Sequence, residues 1–256
     1  MERREFLKLG LTSLGSVATL SYLGSTAEAH SANHVSEDNS SWGMVIDVSV
    51  CTGCEHCIRS CNASNDINPE MSWNRIQVSE NEESGAHTFT TVACQHCEDA
   101  PCVSVCPVGA SYYREDGIVM MDYNKCIGCR YCQVACPYGA RSFNWNEFAA
   151  ENPYIPEWGE PDIDRRPRGV VEKCSFCSQR IDRGLDAGLT PGVDRAATPV
   201  CVNACPNDAR VFGDLNDPNS AASRKLVENA SFRLLEELGT EPRVHYVASK
   251  QESVEV

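Results

Sequence analysis

The chain is short of aromatic residues, 7% of 256, and shorter of basic than of acidic side chains, 22 against 36. The resulting net charge of −14 excludes the basic footprint by which proteins grip nucleic acid. Beyond its first 29 residues it has no apolar run approaching the roughly 20 residues that span a bilayer, so that part is expected to be water-soluble. It lacks a phosphate-cradling loop, a G-x-G-x-x-G after a strand and a Ser/His/Asp set, so no nucleotide, flavin or molybdenum-cofactor site and no substrate-converting site is legible. What it has is 16 cysteines. A chain of this length can build its own core and does not need staples, so the thiols call for another explanation.

Residues 1–29 read as an address and are set aside from the fold. Arg3-Arg4-Glu5-Phe6-Leu7-Lys8 looks like a twin-arginine export signal, an apolar stretch runs from Leu9 to Leu23, and Ala27-Glu28-Ala29 fits an A-x-A cleavage site. The competing readings are an uncleaved anchor and an amphipathic helix. Export would favour disulfides. The twin-arginine route carries proteins already folded, which shifts the expectation toward a metallocofactor loaded beforehand, with the protein on the periplasmic face.

The cysteines fall into four sets with none left over. Run one is Cys51, Cys54, Cys57 and Cys61; run two is Cys94, Cys97, Cys102 and Cys106; run three is Cys126, Cys129, Cys132 and Cys136; run four is Cys174, Cys177, Cys201 and Cys205. Runs one and three have the spacing C-x2-C-x2-C-x3-C, and a proline follows the last cysteine of runs two, three and four. This is the bacterial ferredoxin spacing. Three thiolates on one loop wrap a cubane, and the fourth, on the following helix, points to a neighbouring cluster. Disulfides fit poorly, because cysteines two residues apart in a tight loop do not reach bridge geometry. Zinc is the better rival, although its ribbons pair two C-x2-C knuckles. No ligand is missing, as a [3Fe–4S] centre would require. No histidine replaces a cysteine, which disfavours a Rieske centre.

On these runs, and on Trp42-Gly43-Met44-Val45-Ile46-Asp47, Gly117-Ile118-Val119, Ala135-Cys136-Pro137-Tyr138-Gly139-Ala140-Arg141, Pro167 to Cys174, Phe212 to Asp217 and Val244 to Val247, the chain resembles a known family. That family is the four-cluster iron–sulfur subunit of the dimethyl-sulfoxide-reductase type. It includes subunits linked to polysulfide, thiosulfate, tetrathionate and nitrite reduction and the exported ferredoxin subunit of the sulfite-reduction-associated membrane complex. The resemblance covers about residues 42–247. It implies an α+β fold of two ferredoxin-like domains, each holding two [4Fe–4S] clusters: residues 42–87 with 146–222 for runs one and four, and residues 88–145 for runs two and three. Residues 223–256 would be a C-terminal helix and tail. It also implies a ligand scheme: Cys51, Cys54, Cys57 and Cys205 for cluster 1; Cys61, Cys174, Cys177 and Cys201 for cluster 2; Cys94, Cys97, Cys102 and Cys136 for cluster 3; Cys106, Cys126, Cys129 and Cys132 for cluster 4. The gap of 23 residues between Cys177 and Cys201 is long for this family and puts the exposure of its cluster in doubt.

Short strands are expected at Met44 to Val48, Ile76 to Val78, Thr88 to Val92, Ile118 to Asp122 and Arg141 to Phe143, with a short helix closing each run. Residues 149–168, with four prolines, read as an irregular surface connection, and the long gap reads as a surface loop after a short helix. The stripe Leu226, Val227, Ala230, Leu234 and Leu238 predicts one amphipathic helix from Ser223 to Leu238. His56 and His96 are candidates for hydrogen bonding to cluster sulfur, weighed against plain packing. Tyr131, Tyr138 and Trp145 are candidates for shielding run three.

The expected function is electron transfer. The resemblance implies a relay between an integral-membrane quinone-reactive subunit and a molybdenum catalytic subunit or a cytochrome, in anaerobic respiration, with a sulfur compound preferred as substrate. A free periplasmic polyferredoxin is the alternative.

Overall fold

The computed structural model describes residues 40–80 and 85–248. The expected export signal lies outside the described residues. The first strand, β1 (Trp42–Asp47), is buried at every position. A strand covered on both faces reads as a continuous apolar run rather than an alternation, which is how Trp-Gly-Met-Val-Ile reads. Its hydrogen-bonded neighbours come from distant parts of the chain. β8 (Arg210–Asp214) pairs with it antiparallel and β10 (Val244–Val247) pairs with it parallel, and β9 (Ser231–Phe232) closes the sheet in the order β8-β1-β10-β9. Trp42 stacks on Phe212, and Tyr246 is fully buried, its hydroxyl donating to the Thr91 carbonyl.

Three small antiparallel pairs complete the strands. β2 (Arg75–Glu80) pairs with β3 (His87–Val92), β4 (Ser111–Tyr113) with β5 (Val119–Met121), and β6 (Ser142–Phe143) with β7 (Val171–Glu172). Each run contains a short helix that carries its third cysteine: α1 (His56–Ser64), α2 (Pro101–Ser104), α3 (Tyr131–Ala135) and α5 (Val200–Asn203). α1 packs on α5, and α2 packs on α3. Runs one and four therefore share one helix pair, and runs two and three share the other. Eight cysteines lie among the buried residues of the main hydrophobic cluster, so the thiols are part of the core.

The long gap opens with the expected short helix. α4 (Ser178–Asp186) fills its first part and buries Ile181. A Cβ on Gly184 would lie 2.2 Å from the Ala197 Cβ, so the glycine lets the rest of the loop fold back on the helix. Cys174, Cys177 and Cys201 are all buried beneath it. Residues 149–168 are irregular as expected but are not merely superficial. The Arg166 guanidinium meets the Glu172 carboxylate at 3.0 Å with both side chains buried, and Glu172 also accepts from Trp73 Nε1 and Asn144 Nδ2.

The C-terminal helix is shorter than its apolar stripe implied. α6 (Ala221–Glu228) starts at Ser220, whose hydroxyl accepts from the Ser223 N–H, and stops at Asn229, which is extended and donates to the Lys225 carbonyl. Residues 231–232 then pair with Tyr246 and Val247. Sheet pairing takes the backbone that helical periodicity claimed, and Val227 and Leu238, two members of the stripe, point to solvent.

Candidate metal centres

Each run begins with a turn of the same hand. The residue before the second cysteine has positive φ in all four runs: Gly53 (+69°), His96 (+45°), Gly128 (+69°) and Phe176 (+53°). That conformation curls the backbone so that successive N–H groups face into the loop, as in anion-binding nests. Glycine takes it freely in runs one and three. In runs two and four, His96 and Phe176 take it at a conformational cost, and their rings stack on each other 3.8 Å apart between centroids. A second left-handed residue stands three places after the last cysteine of runs two, three and four, at Gly109, Gly139 and Asp208. The turn it makes returns N–H groups to sulfur. The Ser111 N–H lies 3.4 Å from Cys106 Sγ, and the Ala209 N–H 3.3 Å from Cys205 Sγ. Partial burial raises the Cys106 thiol, but backbone N–H groups from residues 108–111 outweigh it and bring its pKa below the ordinary value.

All sixteen cysteines are free thiols. Cys51, Cys54, Cys57 and Cys205 line one open hollow. Cys106, Cys126, Cys129 and Cys132 line another. The other eight thiols gather in two groups. Cys61 lies among Cys177, Cys174 and Cys201, and Cys97 among Cys94, Cys102 and Cys136. The four groups are contiguous: Cys57 neighbours Cys201, Cys174 neighbours Cys94, and Cys132 neighbours Cys102. Exposed cysteines occur only in the first and last groups, as Cys54 and Cys129.

The donor chemistry suits iron–sulfur clusters. Burial, followed by repulsion from neighbouring thiolates, pushes Cys97 up to about 12 and raises Cys177 and Cys61 above the ordinary value. Thiols held so close ionise together only around a cation. Among the described residues no group of three or more metal-binding side chains converges tightly enough for a single ion. Four thiols ringing a hollow fit a group several atoms across, as a cubane is. Zinc in a closed tetrahedral site would need them drawn together.

Buried cations accompany the thiols. Arg141 donates through Nη2 to Cys102 Sγ at 2.9 Å and to Ser111 Oγ at 2.7 Å, and through Nη1 to Met121 Sδ at 3.0 Å. Arg210 is 4% exposed, with Nη1 on Asn74 Oδ1 and Nη2 without a partner in the protein. Lys173 is 1% exposed and donates to the carbonyls of Val119 and Cys174. The sequence carried a signal for the arginines that cysteine spacing alone missed. Cys136-Pro137-Tyr138-Gly139-Ala140-Arg141 and Cys205-Pro206-Asn207-Asp208-Ala209-Arg210 share one pattern, C-P-x-x-A-R.

The remaining candidates divide. His96 is fully buried, and its Nδ1 accepts from the Val119 N–H. Burial, then Lys173, hold its pKa well below the ordinary value, so the ring is neutral. His56 lies against Trp158, 4.9 Å between centroids. Tyr138 is buried and hydrogen-bonded to Thr240 Oγ1 at 2.5 Å. Tyr131 and Trp145 are exposed, and Arg130 covers the Trp145 ring at 4.5 Å.

Known proteins agree with this chemistry. Two models described as 4Fe–4S dicluster domains match the sequence, over residues 85–152 and 125–210. A Halobacterium salinarum protein provisionally named as an iron–sulfur subunit of dimethyl sulfoxide reductase is 44% identical, over 80% of this chain and 78% of its own. The menaquinone reductase iron–sulfur cluster-binding subunit of Nitratidesulfovibrio vulgaris is 40% identical, over 82% and 89%. One of the polypeptides of the polysulfide reductase of Wolinella succinogenes is 35% identical, over 84% and 97%. With sixteen cysteines that fit four [4Fe–4S] clusters, the protein belongs to the 4Fe–4S dicluster-domain family of iron–sulfur oxidoreductase subunits, of the dimethyl sulfoxide and polysulfide reductase type.

Proposed function

We propose that this protein is the electron-transfer subunit of a membrane-associated respiratory oxidoreductase. It would relay electrons between a quinone-reactive membrane subunit and a catalytic subunit, either a molybdenum protein or a cytochrome. The observation that carries the reading is the contiguous series of four thiol groups, with exposed cysteines in the first and last and a buried set of four between Cys57 and Cys94. One-electron transfer is the chemistry that [4Fe–4S] clusters supply when bound. The protein's own part is to hold the thiols, to exclude water from the inner sets and to donate hydrogen bonds to sulfur.

The ligand assignment follows the four groups. Cluster 1 takes Cys51, Cys54, Cys57 and Cys205; cluster 2 takes Cys61, Cys174, Cys177 and Cys201. Cluster 3 takes Cys94, Cys97, Cys102 and Cys136; cluster 4 takes Cys106, Cys126, Cys129 and Cys132. The packing of α1 on α5 and of α2 on α3 supports two double-cluster domains, with the last cysteine of each run serving its partner run. Among the described residues no helix is long and apolar enough to cross a membrane. Arg3-Arg4-Glu5-Phe6-Leu7-Lys8 supports twin-arginine export and a periplasmic site of action. A sulfur compound as terminal substrate is supported by the likeness to the Wolinella polysulfide reductase polypeptide.

Anaerobic purification from membranes tests the reading. About sixteen irons per chain, with co-purification of a multi-span membrane subunit, is expected. Zinc in place of iron would refute the clusters, and a fully iron-loaded protein found alone in the soluble fraction would indicate a free shuttle. Cys129→Ser should alter a single cluster signal in paramagnetic resonance.

A further inference from the structure

A guanidinium taken out of water costs several kcal/mol unless an anion compensates it. Arg141 and Arg210 are 3% and 4% exposed, and among the described residues neither makes an ion pair with a carboxylate within 4 Å. Their neighbours are thiols. Arg141 donates to Cys102 Sγ at 2.9 Å, and its other nearest thiols are Cys94 and Cys132. Arg210 lies beside Cys201 and Cys57 and leaves Nη2 without a partner. Cys102 and Cys132 are the third cysteines of runs two and three, and Cys57 and Cys201 are the third cysteines of runs one and four. Each arginine therefore stands between the two runs of its own half. Each also sets a guanidinium nitrogen against a methionine sulfur, Met121 at 3.0 Å and Met44 at 3.8 Å. The matching C-P-x-x-A-R segments place them by the same turn.

We propose that Arg141 and Arg210 are paired potential-setting residues, each a fixed positive charge shared by the two clusters of its half. The inference rests on the electron-transfer reading and deepens it. A [4Fe–4S] cluster with four thiolates is already anionic, and reduction adds one more negative charge. A buried cation stabilises the reduced form more than the oxidised form, and low local polarisability magnifies the difference. The two arginines thus hold all four potentials up, Arg141 those of runs two and three, Arg210 those of runs one and four. Run two carries Ser111 at the corresponding position, and Ser111 accepts from Arg141 at 2.7 Å.

The test is redox titration of the anaerobically purified whole protein, followed by paramagnetic resonance, with iron counted in each sample. Arg141→Gln is expected to lower the potentials of two clusters by at least a tenfold change in the reduced-to-oxidised ratio, ~59 mV for one electron. The other two should hold their values, and Arg210→Gln should affect the complementary pair. Arg141→Lys and Arg210→Lys should restore most of the shift. Full iron content with all potentials unchanged in the Gln variants overturns the inference, as does an equal shift in Gln and Lys variants, which would mark a packing role. Loss of iron in the Gln variants overturns it too, because the arginines would then serve assembly rather than potential. Wild-type protein without iron–sulfur signals would refute the electron-transfer reading itself, a separate outcome.

Discussion

At the scale of single residues, the runs are defined as much by backbone hand as by thiols. Gly128 has φ +69°, and a Cβ there would lie 2.3 Å from the Gly169 carbonyl oxygen. Gly109 has a similar φ, +63°, but open space around it. Both would pay the left-handed penalty of about 1–2 kcal/mol as alanine, and only Gly128→Ala adds a backbone clash. Gly128→Ala is therefore expected to lose the run-three cluster, read as a missing signal in paramagnetic resonance and a drop in iron, while Gly109→Ala keeps full iron with a modest loss of stability. Equal behaviour of the two would mean that the approach to Gly169 does not constrain the loop. Spacing announced all sixteen thiols. The left-handed His96 and Phe176 were not legible, because nothing local favours that conformation and each is sustained by stacking on the other across the two halves.

Among elements, the long irregular connection is held by charge rather than by regular structure. Asp162 accepts from Arg180 Nη1 and Arg183 Nη2, each at 2.9 Å, and from Ser64 Oγ at 2.8 Å, so it ties residues 149–168 to α4 and α1. Burial alone would raise its carboxyl, but the hydrogen bonds from Arg180, Arg183 and Ser64 outweigh that and hold it below the ordinary value. A carboxyl depressed in the folded state contributes stability above its unfolded pKa, near 3.9, and loses it as pH falls through the folded value. Asp162→Asn should cost about 1–3 kcal/mol at pH 7, mostly through Arg180, since Arg183 is 58% exposed and its share is screened. In anaerobic urea melts the gap between the two proteins should stay constant down to about pH 4 and close below it. A gap independent of pH would remove the charge account. Prolines made the connection legible as irregular, but the pairing of Asp162 with arginines beyond Cys177 depends on where the chain returns.

For the whole molecule, the thiols and the main apolar cluster are one body, with Cys57, Cys61, Cys94, Cys97, Cys102, Cys132, Cys174 and Cys201 among its buried members. Stripping iron leaves crowded thiols, unpartnered Arg210 Nη2 and hollows at Cys54 and Cys129. Metal binding free energy is then folding free energy. Removal of iron by chelator under oxidant should collapse far-UV circular dichroism and abolish a cooperative melt, and reconstitution with iron and sulfide should restore both. A native-like spectrum without iron would show that the sheet and its apolar contacts suffice.

The sequence by itself determined the local chemistry: four runs and the short strands near them, because three-residue spacings and apolar runs act over a few residues. Tertiary structure decided what distant segments do to one another. β1 is paired on both sides only because residues 210–214 and 244–247 reach it, and α6 stops at Glu228 because Ser231 and Phe232 are claimed by β10. Arg141 and Arg210 end segments of one pattern, C-P-x-x-A-R, and it is the packing of one run against another that turns each into a charge enclosed by thiols of both.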